Sequence, residues 1–455
     1  MRRHQRLDSA IIRGSPTPRQ MTNDRTSRSR RRLTATVTDL EVRVQRAFLV
    51  GVELPGMTGF EAERSLDELE LLTDTAGADA VDRELVHRRQ IDPATFIGSG
   101  KAGELATLTR ALDIDLVVFD NQLNPGQQRN LQQLFECDVV DREALILDIF
   151  AQHATSRVGS IQVELALLRY YLPRLRGKGK AMSQQGAGVL ARGPGETKLE
   201  TDRRRIVQRI SKLERELKET VQHRATQRKS RKKSEIQQVS IVGYTNAGKS
   251  TLLNALTDAG ALVEDRLFAT LDSTVRRLEL PDHRFALVAD TVGFVRRLPH
   301  HLVEAFQSTL AEVAEADLLL HVVDGTDQEP AGQLAAVREV LLEIDAGSIP
   351  ELIVINKVDA MSELEMQRLA NLYPDAVMIS AMDGIGLHQL LARVGELLSP
   401  AMVTLTLEIP YDRGDVVAAA HRAGDVIEEK HDDQGTILEV RMPETARNRF
   451  AAFSR

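Results

Sequence analysis

The sequence predicts an α/β multidomain protein. Its expected parts are a disordered basic arm over 1–43, an N-terminal α/β domain over 44–155, and a long helical hairpin and linker over 156–235. A domain with a mostly parallel sheet follows over 236–398, then a small α+β C-terminal appendage over 399–455. Three observations carry this. Short β-branched runs alternate with helical patterns in two stretches, the signature of parallel sheets covered by helices. Between them lie two segments whose apolar residues recur every three or four positions. The second alternating stretch also contains a glycine-rich turn placed between a strand and a helix.

In the first stretch, AFLVGVEL, LVVFD and DVVD read as strands, and SLDELELL, KAGELATLTRAL and REALILDIFAQHA as helices. Residues 161–175 then form one amphipathic helix and 202–233 a second, in which Ile206, Ile210, Leu213, Leu217 and Val221 share a face. Two such helices in succession imply an antiparallel hairpin. Its tip, GKGKAMSQQGAGVLARGPGE, is glycine-rich and carries Lys178, Lys180 and Arg192, so it is expected to have mobile backbone and no core. RKSRKK reads as a polar linker. VTLTLEI and TILEVRM give two strands near the C-terminus, with one helix between them and another after Pro443.

Composition narrows the function classes. The chain has 455 residues, 42% of them hydrophobic, and a single cysteine, Cys137. No intramolecular disulfide can form, which points to a reducing compartment. With no apolar run long enough to span a bilayer and no signal-like N-terminal stretch, the expected location is cytoplasmic, with no membrane insertion. The net charge of -7 conceals a concentration of arginines in residues 2–32. That arm reads either as an RNA-touching tail or as a solvated one.

The chemistry is concentrated between 236 and 398. The strand QVSIVG runs into GYTNAGKS and the helix TLLNAL, the order that the phosphate-loop pattern GxxxxGK[ST] requires. Backbone N–H groups of Gly243, Tyr244, Thr245, Asn246, Ala247, Gly248, Lys249, Ser250 and Thr251 can converge on phosphates. Lys249 would pair with their oxygens, and Ser250 would ligate Mg²⁺. Asp290, Thr291, Val292 and Gly293 follow the strand FALVAD. Asp290 would hold the same Mg²⁺, and the Gly293 N–H would sense a terminal phosphate. Asn356, Lys357, Val358 and Asp359 follow ELIVI, and the Asp359 carboxylate can accept from both N1–H and N2–H₂ of guanine, a donor pair adenine lacks. Ser380, Ala381 and Met382 complete the base side. The expected ligands are therefore GTP and GDP with Mg²⁺.

With these four motifs in order, residues 236–398 resemble the translation-factor-like GTPases. In LFATLDST (Phe268, Ala269, Thr270, Leu271, Asp272 and onward), Thr270 matches the switch threonine that joins the metal shell, Thr274 being the weaker match. Phe294 stands where many such enzymes carry a water-orienting glutamine, so Lys249, Thr270, Gly293 and Asn246 remain as the catalytic candidates. Asn246 resembles an asparagine that holds K⁺ in some GTPases lacking that glutamine; the other reading is a simple cap of the loop. Slow intrinsic hydrolysis stimulated by a partner is expected.

The flanks carry a more specific resemblance. RGPGETKLETDRRRI, FIGSGK, DNQLNPGQQRNL, GYTNAGKSTLLNAL and ADTVGFVRRLPHHLVEAF are similar to HflX-type ribosome-associated GTPases over residues 44–398. The chain departs from the usual pattern in DST where DPT is common and in an elongated hairpin tip. The resemblance implies a monomeric factor that binds the large ribosomal subunit and its rRNA, places the hairpin near the peptidyl-transferase centre, and splits or recycles stalled or idle ribosomes. A ribosome-assembly GTPase and a GTP-dependent switch acting on a protein partner are the alternatives. The basic residues from Arg203 to Lys233 suit contact with rRNA phosphates. With 0 Trp and 4% aromatics, base stacking is not expected. The turn Gly98–Lys101 reads as an ordinary strand-to-helix turn or as half of a second phosphate loop.

Overall fold

The computed structural model describes residues 44–175, 194–232, 236–257, 267–268, 274–281, 283–296, 307–399 and 402–454, without the side chains of 194–199 and 221–232. The basic arm, the tip 176–193 with Lys178, Lys180 and Arg192, and the segment 269–273 with Ala269, Thr270, Leu271 and Asp272 lie outside them.

The N-terminal sheet is built from β1 (Gln45–Glu53), α1 (Gly59–Ala76), β2 (Ala78–His87), α2 (Ser99–Ala111), β3 (Leu116–Phe119), α3 (Pro125–Phe135), β4 (Asp138–Asp141) and α4 (Arg142–His153). Its order is β2-β1-β3-β4, parallel throughout. β2 was not legible as a strand. ADAVDRELVH sits at the sheet edge with half its residues wet, so it lacks the apolar run of the fully buried β3. Capping boxes start α1 (Thr58 with Glu61) and α3 (Asn124 with Gln127). At the Gly98 turn, Lys101 is drawn to Glu84 and Glu104 at 2.8 and 3.1 Å, which favours the ordinary turn.

α5 (Arg157–Arg174) and α6 (Pro194–Lys232) pack along a seam of Ile161, Leu165, Ile210, Leu213 and Leu217. Arg169–Glu214 and Arg209–Glu164 bridge them, each at 2.7 Å. Helix α6 starts at Pro194, earlier than the expected 202, and runs through most of RKSRKK, which is therefore helical and not a linker. Proline costs little at a first helical position, where its missing N–H would lack an intrahelical partner. At 39 residues α6 extends about 58 Å, roughly twice the span of α5.

The third sheet comprises β5 (Gln238–Gly243), α7 (Lys249–Thr257), β6 (Thr274–Glu279), β7 (Phe285–Asp290), α8 (Gln307–Ala314), β8 (Leu318–Asp324), α9 (Pro330–Glu343), β9 (Glu351–Asn356), α10 (Glu363–Leu372), β10 (Val377–Met378) and α11 (Leu387–Leu397). Its order is β10-β9-β8-β5-β7-β6, with only β6 antiparallel. The C-terminal portion holds β11 (Met402–Pro410), α12 (Gly414–Ala423), β12 (Asp425–His431), β13 (Gly435–Pro443) and α13 (Glu444–Phe450), in an antiparallel sheet of order β11-β13-β12. Here the expectation of two strands is corrected to three. β12, DVIEEKH, is an exposed edge whose residues show no apolar alternation.

One apolar cluster joins the first and third sheets. Leu66, Leu69 and Phe150 pack into it from the N-terminal side, and Val242, Phe268, Phe294 and Leu310 from the other. No described helix is long and apolar enough to cross a membrane.

Candidate nucleotide site

The site lies at the carboxyl ends of β5, β7, β8 and β9, where parallel α/β sheets present ligands. Gly248 closes the turn at φ +90, and a Cβ there would stand 2.2 Å from Asn356 Nδ2. The close approach has a purpose. Asn356 donates from Nδ2 to the Ala247 carbonyl at 2.8 Å and accepts at Oδ1 from the Ala381 N–H at 2.9 Å. Asn356 is thus a buried tie between the phosphate loop and the Ser380–Ala381 turn. Ser380 Oγ accepts from the Asp383 N–H at 3.1 Å.

Lys357, in a left-handed conformation, pairs with Asp324 at 2.7 Å. Asp359 is exposed in a short 3-10 turn, Val358–Ala360, and Met382 is 84% exposed. Asn246 adopts φ +60 with its side chain in solvent, and that side chain makes no hydrogen bond within the described residues. A capping bond from it is therefore not observed.

Ser250 and Asp290 are brought together, Oγ donating to Oδ2 at 2.7 Å. The Thr291 hydroxyl donates to the Ile241 carbonyl at 2.7 Å and locks β7 beside β5, and Val292 is buried. Lys249 is buried, its ammonium donating to the Tyr244 carbonyl at 2.7 Å. Burial pulls its pKa down to about 8, against the opposing charge of Asp290. A Cβ on Gly293 would lie 2.7 Å from Thr245 Cγ2, 3.0 Å from Thr245 Cα and 3.2 Å from Lys249 Nζ.

Phe294 turns away from this hollow. Its ring is 1% exposed in the apolar cluster, while its backbone zips to the phosphate loop: Thr245 N–H donates to its carbonyl at 2.8 Å and its N–H to the Gly243 carbonyl at 3.2 Å. Phe268, expected on the nucleotide side, instead packs edge-on against Phe150 of α4, the ring centroids 4.7 Å apart.

Sequence reasoning missed the polar network beneath the loop. The Tyr244 hydroxyl donates to Glu68 at 2.6 Å and accepts from the Arg296 N–H at 2.7 Å. Arg142 pairs with Glu68 at 3.1 Å and with Asp120 at 2.7 Å, and donates to the Ser65 carbonyl at 2.8 Å. Burial opposes the Arg142 charge, but Asp120 and Glu68 outweigh it and hold the guanidinium above its usual range. Arg64 clasps Asp327 with both contacts under 3 Å. One signal was available: Glu68 lies on the apolar face of α1, in helical step with Ser65, Leu69 and Leu72.

A mostly parallel sheet, a GxxxxGKS turn leading into a helix, and Asp290, Asn356 and Ser380 at neighbouring strand ends define a P-loop GTPase. Three family models match in chain order: "GTP-binding GTPase N-terminal" over 63–151, "GTP-binding GTPase Middle Region" over 153–231, and "50S ribosome-binding GTPase" over 238–357. GTPase HflX of Caldanaerobacter subterraneus is 43% identical over 409 residues, covering 90% of this chain and 94% of that one. The Alkalihalophilus pseudofirmus and Escherichia coli proteins of the same name are 44% and 43% identical, each covering 83% of this chain and 89% of its own. The chain belongs to the HflX GTPase family.

Proposed function

We propose that the chain binds GTP with Mg²⁺ in this hollow, hydrolyses it, and uses the cycle to bind the large ribosomal subunit and split or recycle stalled or idle ribosomes. The observation that carries the nucleotide reading is the convergence of Lys249, the Ser250–Asp290 pair and Gly293 on one point. Two adjacent oxygen ligands on rigid elements suit a hard cation, so Ser250 and Asp290 would hold Mg²⁺, with Thr270 joining them. When bound, the ion neutralises phosphate charge. The remaining work is done by the chain: Lys249 and the loop amides bind and orient the phosphates, and Gly293 N–H faces the terminal one. Asp359, exposed and unencumbered, would read guanine.

For the ribosome, the supporting features are the family and the hairpin. Arg203, Arg204 and Arg205 on α6 are available to phosphate backbones. Arg209, held by Glu164, is committed to the hairpin instead. Expectations of a monomer and of cytoplasmic location rest on the same family reading.

With Phe294 buried, no side chain at that position orients water, and Asn246 is free to hold K⁺ beside the phosphates. Hydrolysis should be slow alone, rise at least fivefold when K⁺ replaces Na⁺, and rise further with large subunits. Phosphate release measured in the two salts, with and without subunits, tests both points. Equal rates in the two salts remove the K⁺ role, and no response to subunits counts against the ribosomal partner.

A further inference from the structure

Both segments that border the nucleotide hollow are fastened to the N-terminal sheet. On one side, the Tyr244 hydroxyl ties the Arg296 N–H, three residues beyond Gly293, to Glu68 on α1. Glu68 is itself fixed by Arg142, which Asp120 anchors. Burial and the Glu68 charge push the Tyr244 phenol far above its ordinary range, so it stays a donor. On the other side, Phe268 is held at φ +57 and 2% exposed, seated on Phe150. A phenylalanine persists in that backbone region only where its surroundings hold it.

In this arrangement Gly293 is drawn against the phosphate loop. A methyl on Gly293 would already lie 3.2 Å from Lys249 Nζ. A phosphoryl group is larger than a methyl. For a terminal phosphate to sit between the Gly293 N–H and the Lys249 ammonium, the loop 290–296 must move outward. The bond from Arg296 N–H to Tyr244 resists that movement, and the Lys249 bond to the Tyr244 carbonyl must also give way.

We infer that Tyr244 with Glu68 behind it, and Phe268 seated on Phe150, form a two-point latch by which the N-terminal domain biases the site toward a nucleoside diphosphate over a triphosphate. Triphosphate loading then loosens the N-terminal domain, because coupling between two sites is reciprocal. Tyr244 and Glu68 act as positioning residues: their side chains hold the loop and touch no reacting atom. The inference rests on the GTP reading above.

The test is titration of the full chain, with Mg²⁺, by fluorescent GDP and by a non-hydrolysable GTP analogue. Wild type, Tyr244→Phe, Phe150→Leu and the double variant are compared. Tyr244→Phe removes the hydroxyl at constant shape and should shift the ratio of the two dissociation constants at least fivefold toward the triphosphate. Phe150→Leu should shift it the same way, and the double variant further. A ratio unchanged in Tyr244→Phe, including an equal loss of both affinities, overturns the latch whatever Phe150→Leu does. A wild-type chain that binds neither nucleotide overturns the GTP reading, and the latch with it.

Discussion

Replacing Gly293 with alanine is expected to lower the single-turnover rate of GTP hydrolysis at least a hundredfold. The added methyl would meet Thr245 Cα at 3.0 Å and Thr245 Cγ2 at 2.7 Å. The first of these is phosphate-loop backbone, already fixed by the zipper between Gly243, Thr245 and Phe294, and it cannot turn aside as a side chain could. The segment after Asp290 must therefore lift, and the Gly293 N–H is carried away from the terminal phosphate. Loss of one aligned donor to developing charge costs about 100- to 1,000-fold in comparable sites. Rapid-quench measurement at saturating GTP checks this, and a rate within tenfold of wild type would show that Gly293 does not contact the reacting group.

The largest stability effect should come from Arg142→Met. Arg142 is 3% exposed and neutralises both Asp120 and Glu68, themselves buried. Methionine fills much of the volume but leaves two carboxylates facing each other without a countercharge. Breaking a buried ion pair on one side costs about 3–5 kcal/mol, more than the pair itself contributes, because the orphaned charge keeps its desolvation penalty. The loss should appear as a lower denaturant midpoint for the transition that includes the N-terminal sheet. A decrease of less than about 1 kcal/mol would mean that water reaches the network.

The parts of this molecule legible in the sequence are those whose signal is local. The glycine spacing in GYTNAGKS, the Asp290 and Asn356 motifs and the buried strands β3, β5 and β8 announce themselves within a few residues, because backbone geometry and burial act there directly. The edge strands β2 and β12 do not: each is paired on one side and wet on the other, so neither shows the periodicity of a core strand. Long-range polar contacts were equally hidden. Nothing near Tyr244 in the chain indicates that its hydroxyl meets a carboxylate 176 positions away, nor does the LFATLDST motif reveal that Phe268 faces the N-terminal sheet. Phe294 was read correctly as unable to orient water; its place in the interdomain core became visible only in the fold.

The central claim is that GTP-loaded chain separates ribosomal subunits. It is tested most directly by sedimenting joined ribosomes through a sucrose gradient after incubation with the chain and a non-hydrolysable GTP analogue. The account predicts that the joined peak falls in favour of free subunits, with the chain migrating beside the large one, and that GDP has no such effect. A joined peak unchanged at saturating analogue would contradict the splitting function.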